Sequence, residues 1–233
     1  MYDYITNRFS KEKIMADTTS VGESKFTGGA IANYAINFVV AFVSGITLGL
    51  AYPAMKCWRM RWECENTYYD GKRLTFDGKG MQYFGLVLKT FFLSMITLGI
   101  YYLLCGSVAL LKWRTKHTHF VGEEDKESAF DGKWYQLFGV SFLTTFVTII
   151  TLGLGAYWAH CYLVRWQYNH QTISEQRLSF DGTAGQYFLA CLKWILLTII
   201  TIGIYSFWLT VKAIDWTCKH THIEAPAAPA AAE

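Results

Sequence analysis

A step of 23 residues, kept four times, constrains this chain more than any other feature. It separates Phe26 from Gly49, Phe76 from Gly99, Phe130 from Gly153 and Phe180 from Gly203. The Phe opens a Phe-Asp-Gly tripeptide in the last three copies and Phe26-Thr27-Gly28 in the first. The Gly closes Ile-Thr-Leu/Ile-Gly in each copy, and a Trp follows it by 13 or 14 residues, as Trp62, Trp113, Trp166 and Trp216. Four residues beyond each Trp comes Asn66, His117, His170 or His220. Self-similarity at a fixed period is the mark of a repeat architecture, so the fold must be built from four copies of one unit.

Within each unit an apolar arm runs to the Thr-Leu-Gly tip. These arms are Tyr34–Thr47, Tyr83–Thr97, Leu137–Thr151 and Tyr187–Thr201. With their flanking aromatic and Gly residues they approach the length that spans a bilayer as helix. A second arm follows, less apolar, ending among Trp, Lys and Arg. Lys and Arg cluster before the first arms and within or after the second, and none lies near a tip. A helical hairpin gathers those cations on one side, as the positive-inside rule expects, whereas a single crossing would divide them. Only 17% of residues are charged and 52% are apolar, which fits that reading. The net charge of +3 is too small to point to nucleic acid.

The expected fold is an all-α membrane protein of four tandem helical hairpins, about eight helix segments, with short β-hairpin links on the cytoplasmic side. The expected divisions are a polar segment 1–24, a membrane domain 25–223 with repeats 25–73, 74–127, 128–177 and 178–223, and a disordered Ala/Pro tail 224–233. Met15 is an alternative start to Met1. Asp70-Gly71 between β-prone runs is a hairpin turn by type. Ser24–Phe26 and His220–Ile223 each lack a neighbouring strand in their own repeat, and are expected to pair and close a ring.

The string Phe76–Gly78, Gln82–Gly85, Thr97–Tyr101, Thr201–Tyr205 and His220-Thr221 resembles the YjgN-like family of bacterial multi-pass inner-membrane proteins. That resemblance implies an inner-membrane location and no particular chemistry; the one-sided cations of the hairpins put both termini on the cytoplasmic side. Thr27 and Asn66 depart from it in the first repeat.

Three sets of residues are candidates for function. Ser44, Ser94, Thr148 and Thr198, each followed one helical turn later by Thr47, Thr97, Thr151 and Thr201, form a hydroxyl stripe. Small hydroxylated residues favour close helix packing; with Lys89 and Lys193, at equivalent depth in repeats two and four, they also make a candidate intramembrane polar path. Asp77, Asp131 and Asp181 are placed to cap helix N-termini. His117, His119, His170, His220 and His222 recur at repeat ends and are the candidate metal ligands; Cys57, Cys64 and Cys218 lie at the same ends, in a spacing that matches no zinc pattern. No phosphate loop, nucleophile elbow or zinc-protease motif is present, so no enzyme activity and no cofactor is expected, a metal-dependent membrane enzyme being the alternative. The expected function is a scaffold or accessory subunit of a membrane assembly, or alternatively a channel or carrier for a small, anionic solute. The expected partners are the lipid bilayer, a membrane protein or a second copy, and not nucleic acid.

Overall fold

A computed structural model describes residues 22–99 and 101–224. Most of the polar N-terminal segment, Met15, and the Ala/Pro tail after Glu224 lie outside the described residues. The chain runs β1 (Lys25–Phe26), α1 (Ala30–Ile46), α2 (Tyr52–Glu65), β2 (Thr67–Tyr69), β3 (Lys72–Phe76), α3 (Gly80–Ile96), a π-helical turn (Tyr102–Gly106), α4 (Ser107–Lys116) and β4 (Thr118–Phe120). The second half repeats the order: β5 (Ala129–Phe130), α5 (Trp134–Ile150), α6 (Ala156–Asn169), β6 (Gln171–Ile173), β7 (Gln176–Phe180), α7 (Ala184–Ile200), α8 (Ser206–Lys219) and β8 (Thr221–Ile223).

The four hairpins form, but the all-α membrane fold does not. The links do more than turn: they assemble into two four-stranded antiparallel sheets, β1-β2-β3-β4 and β5-β6-β7-β8. Two repeats therefore make one half, and two halves make the molecule. Among the described residues no helix is long and apolar enough to cross a membrane. The first arms α1, α3, α5 and α7 are each 17 residues, or about 25 Å at 1.5 Å per residue, against about 30 Å of hydrocarbon. The flanking aromatic and Gly residues that lengthened them on paper belong to strands, extended entry segments and tips.

Each tip has one design. Thr47, Thr97, Thr151 and Thr201 end the first arms. The next residue, Leu48, Leu98, Leu152 or Ile202, is left-handed with φ of 50–51°, and the Gly after it has φ of 87–93°. The Thr hydroxyl donates to the carbonyl four residues back and accepts the amide four residues on, as in Gly155 N to Thr151 Oγ1 at 2.6 Å. A hydroxyl is the one small side chain able to do both.

The Phe-x-Gly motif is explained by packing. Each Phe meets its repeat's Trp edge to face, with centroids 5.7, 5.7, 5.8 and 5.9 Å apart. A Cβ on Gly28, Gly78, Gly132 or Gly182 would intrude on that Phe and lie 2.8–2.9 Å from the Trp ring. In the strands, residues of one face are buried by the period-2 pleat: Leu74 and Phe76 in β3, Leu178 and Phe180 in β7.

The ring closes, though not by strand pairing. β1 and β8 stay at the edges of different sheets. The ends are joined instead by Ser24 Oγ donating to the Thr221 carbonyl at 2.7 Å and by the Phe26 amide donating to Asp215 Oδ1 at 3.2 Å. Helix α8 packs on α1.

Candidate functional site: a central cavity

The first arm α7 lines the interior, and the second arms turn one face inward with it. On that face, the residue just after each repeat's Trp is polar: Glu63, Arg114, Gln167 and Thr217. Glu63 is held from two sides, by Arg59 Nε at 3.0 Å on Oε1 and by Arg114 Nη2 at 3.5 Å on Oε2. Beside them the hydroxyls of Tyr69 and Tyr168 meet at 3.2 Å. Burial pushes the Tyr69 phenol well above its ordinary value and that of Tyr168 up to about 12, so both stay neutral.

These groups form one end of a cavity of about 750 Å³. Its walls are mostly apolar or aromatic: Tyr157 and His160 of α6, Tyr187, Trp194 and Ile195 of α7, and Leu209 and Ile214 of α8. Small-molecule sites fall in this size range and share this balance of apolar wall and few polar groups. The cavity reaches between α7 and α8, which lean away from each other: α7 packs on α6, and α8 on α1. In the first and third hairpins the two arms pack together instead.

The residues singled out in the sequence lie elsewhere. Lys89 and Lys193 are exposed and do not line the cavity, because position 13 of the repeat falls on the outward face of its helix. The hydroxyl stripe is occupied with backbone. Thr47, Thr97, Thr151 and Thr201 staple the tips. Ser94, Thr148 and Thr198 donate to their own helix carbonyls at 2.6–2.8 Å; Ser44 Oγ is buried without a partner.

Asp77, Asp131 and Asp181 are not the helix caps. Each helix begins three residues later, and the N-cap residues are Lys79, Lys133 and Thr183. Their carboxylates instead face His117 Nδ1 at 2.8 Å, Arg177 Nη2 at 3.3 Å and His222 Nε2 at 3.7 Å. The backbone is still extended at Lys79, Lys133 and Thr183, so the helix starts beyond the Asp.

The histidines are not gathered either. No group of three or more His, Cys, Asp or Glu that could hold a metal occurs among the described residues. His170 and His220 each donate from Nδ1 to the Trp carbonyl one turn back, at 2.7 and 2.8 Å. Asn66 makes the same bond to Trp62 at 2.7 Å with its amide, which accounts for Asn standing in for His. His117 bonds Asp77, His119 faces Ser128 at 3.3 Å, and His222 faces Asp70 at 3.0 Å. Burial also raises the Cys64 thiol to about 11 and Cys218 to about 12, away from the thiolate a metal needs.

Residues 23–127 and 175–227 match a family described as bacterial protein of unknown function, DUF898. The chain belongs to DUF898. No curated protein and no solved structure matches it. The cavity residues of this DUF898 chain escaped sequence reading because Arg59 and Arg114 look like the basic flank of an apolar arm. The signal was there in the position after each Trp, polar four times inside a helix.

Proposed function

We propose that this DUF898 protein works embedded in a lipid bilayer as a binding protein or carrier for a small anionic solute. The observation that carries the reading is the central cavity, with two guanidinium groups sharing one carboxylate in its wall. A scaffold has no need of such an interior.

Embedding is supported by the outer surface. Leu48, Leu98, Leu152 and Ile202 at the four tips are 93–95% exposed, and Phe38, Phe42, Phe91, Phe142 and Phe146 are exposed along the arms. Apolar surface this extensive, on all four hairpins, exceeds the patches soluble monomers carry. Apart from Lys89 and Lys193, which stand midway along their arms, the cations lie toward the opposite, sheet-bearing end. We infer that the hairpins enter lipid from one face and return to it, with the sheets at the inner, cytoplasmic face of a bacterial inner membrane. No single helix need cross for this to hold.

Flotation with phosphatidylglycerol-containing vesicles tests the embedding. The wild-type chain is expected to float and to resist carbonate extraction. A variant with Leu48→Asp, Leu98→Asp, Leu152→Asp and Ile202→Asp, helical by circular dichroism, is expected to sediment or to extract. Flotation unchanged by the four substitutions overturns the embedding. Proteoliposomes that take up no inorganic or organic anion above empty vesicles, and bind none, overturn the carrier reading in favour of the scaffold.

A further inference from the structure

We infer that the central cavity takes a single-chain amphiphile with an anionic head group, which enters sideways between α7 and α8. The inference rests on the carrier reading and narrows its ligand. The cavity has two ends of different chemistry. At the sheet end Arg59 and Arg114 face one Glu63, leaving a net positive charge. A guanidinium fork suits a carboxylate or a phosphate, and such bonds are stronger than neutral ones. His160 also lines this space and keeps Nε2 buried without a hydrogen-bond partner.

Away from that end the wall is hydrocarbon and aromatic. It extends from Tyr187 to Ile195 along α7, about 12 Å of helix at 1.5 Å per residue. A compact anion would satisfy the cations and leave this wall facing water or nothing. A neutral hydrocarbon would fill the wall and leave the one positive charge in excess of Glu63 uncompensated, a costly arrangement away from water. An acyl chain ending in an anionic head answers both.

The route follows from the packing. The cavity reaches between the two arms of the fourth hairpin, α7 and α8, which pack on different neighbours. The outer faces of this hairpin carry exposed Leu192, Leu196, Ile199 and Phe207, so a molecule dissolved in the apolar phase meets the opening without passing through water.

The test is equilibrium binding to the full chain in phosphatidylcholine nanodiscs, with empty nanodiscs as the blank. The probes are dodecyl phosphate, dodecanoate, dodecanol and inorganic phosphate. Saturable binding of one or both charged twelve-carbon probes is expected, at least tenfold tighter than dodecanol and inorganic phosphate; which of the two wins identifies the head group. Arg114→Gln is expected to weaken the charged probes at least tenfold. Leu209→Trp, which fills the apolar wall and leaves the cations in place, is expected to do the same, and serves if Arg114→Gln does not fold. Inorganic phosphate binding as tightly as dodecyl phosphate overturns the amphiphile and leaves an anion carrier standing. Dodecanol binding as tightly overturns the role of the cations. No saturable binding of any probe overturns both readings.

Discussion

The Asp70 carboxylate accepts the backbone amide of Ile223 at 2.6 Å, across 153 residues of chain. Its other oxygen meets His222 Nδ1 at 3.0 Å, and the Asp70 amide donates to Ser24 Oγ at 2.9 Å. At the matching seam of the other half Ser174 takes the place of Asp70: its hydroxyl accepts the Phe120 amide at 3.0 Å, and its own amide donates to Ser128 at 2.9 Å. The ring of repeats is thus sealed twice by a turn residue satisfying the edge strand of the next half.

The two seals differ in strength. A hydrogen bond to a charged group contributes about 1.5–3 kcal/mol and a neutral one about 1. Asp70→Ala is expected to destabilise by about 2–3 kcal/mol, and Ser174→Ala by about 1. Asp70→Asn, which tolerates the left-handed backbone at φ 47°, is expected to lie between. Denaturation midpoints in detergent at constant slope measure this. Equal effects of Asp70→Ala and Ser174→Ala would remove charge from the account.

The Phe-x-Gly packing makes a sharper contrast. A Cβ at Gly78 would sit 2.8 Å from the Trp113 ring as well as against Phe76, whereas one at Gly85 meets nothing within 4 Å. Gly78→Ala is expected to cost about 1–3 kcal/mol by overpacking. Gly85→Ala, inside α3, is expected to stabilise by about 0.5–1 kcal/mol. Thermal melts of the two variants side by side are the measurement, and a tolerated Gly78→Ala would sink the packing account.

How much of this was legible in the residues depends on the scale of the interaction. The repeat, the hairpins and the Asp70-Gly71 turn are local and periodic, and they read directly. The sheets did not, because β1 and β4 have two and three residues and become strands only when repeats lie side by side. The Asp of Phe-Asp-Gly looked like a cap by its neighbours in sequence; its partners His117 and His222 are 40 and 41 residues away. Lys89 and Lys193 drew attention as charges in an apolar run, yet they lie outside, while Arg59, Glu63 and Arg114, lost among flanking charges, face inward. Periodicity gives the face of a helix, and only the packing of the ring says which face is the interior.

The tips carry strain that can be read out. A β-branched residue at φ 51°, as at Ile202, is disfavoured by about 1–2 kcal/mol relative to the right-handed region, and only Gly visits it freely. Ile202→Gly is expected to raise stability in detergent by about 1 kcal/mol and to weaken flotation with vesicles. A fall in stability would mean that the exposed side chain contributes to the fold and not to lipid contact.

Between the halves, Lys72 of β3 reaches across to Glu123 at 2.8 Å and to Gln176 of β7 at 3.1 Å. The hydrogen bond from Lys72, with help from Lys126, holds the Glu123 carboxyl below its ordinary value of 4.5. A carboxylate whose pKa is lower folded than unfolded stabilises the fold above its unfolded value, and that contribution fades as pH falls through the folded one. Stability is therefore expected to decline as pH drops from about 4.5 downward, with Glu123→Gln removing part of the slope and leaving the plateau at pH 7 lower than in the wild type. Because Glu123 is joined to both sheets, salt is expected to flatten the same part of the curve by screening its partly exposed partners. Urea midpoints from pH 3.5 to 7 for wild type and Glu123→Gln decide the matter: superimposable slopes for the two would show that another group carries the acid sensitivity.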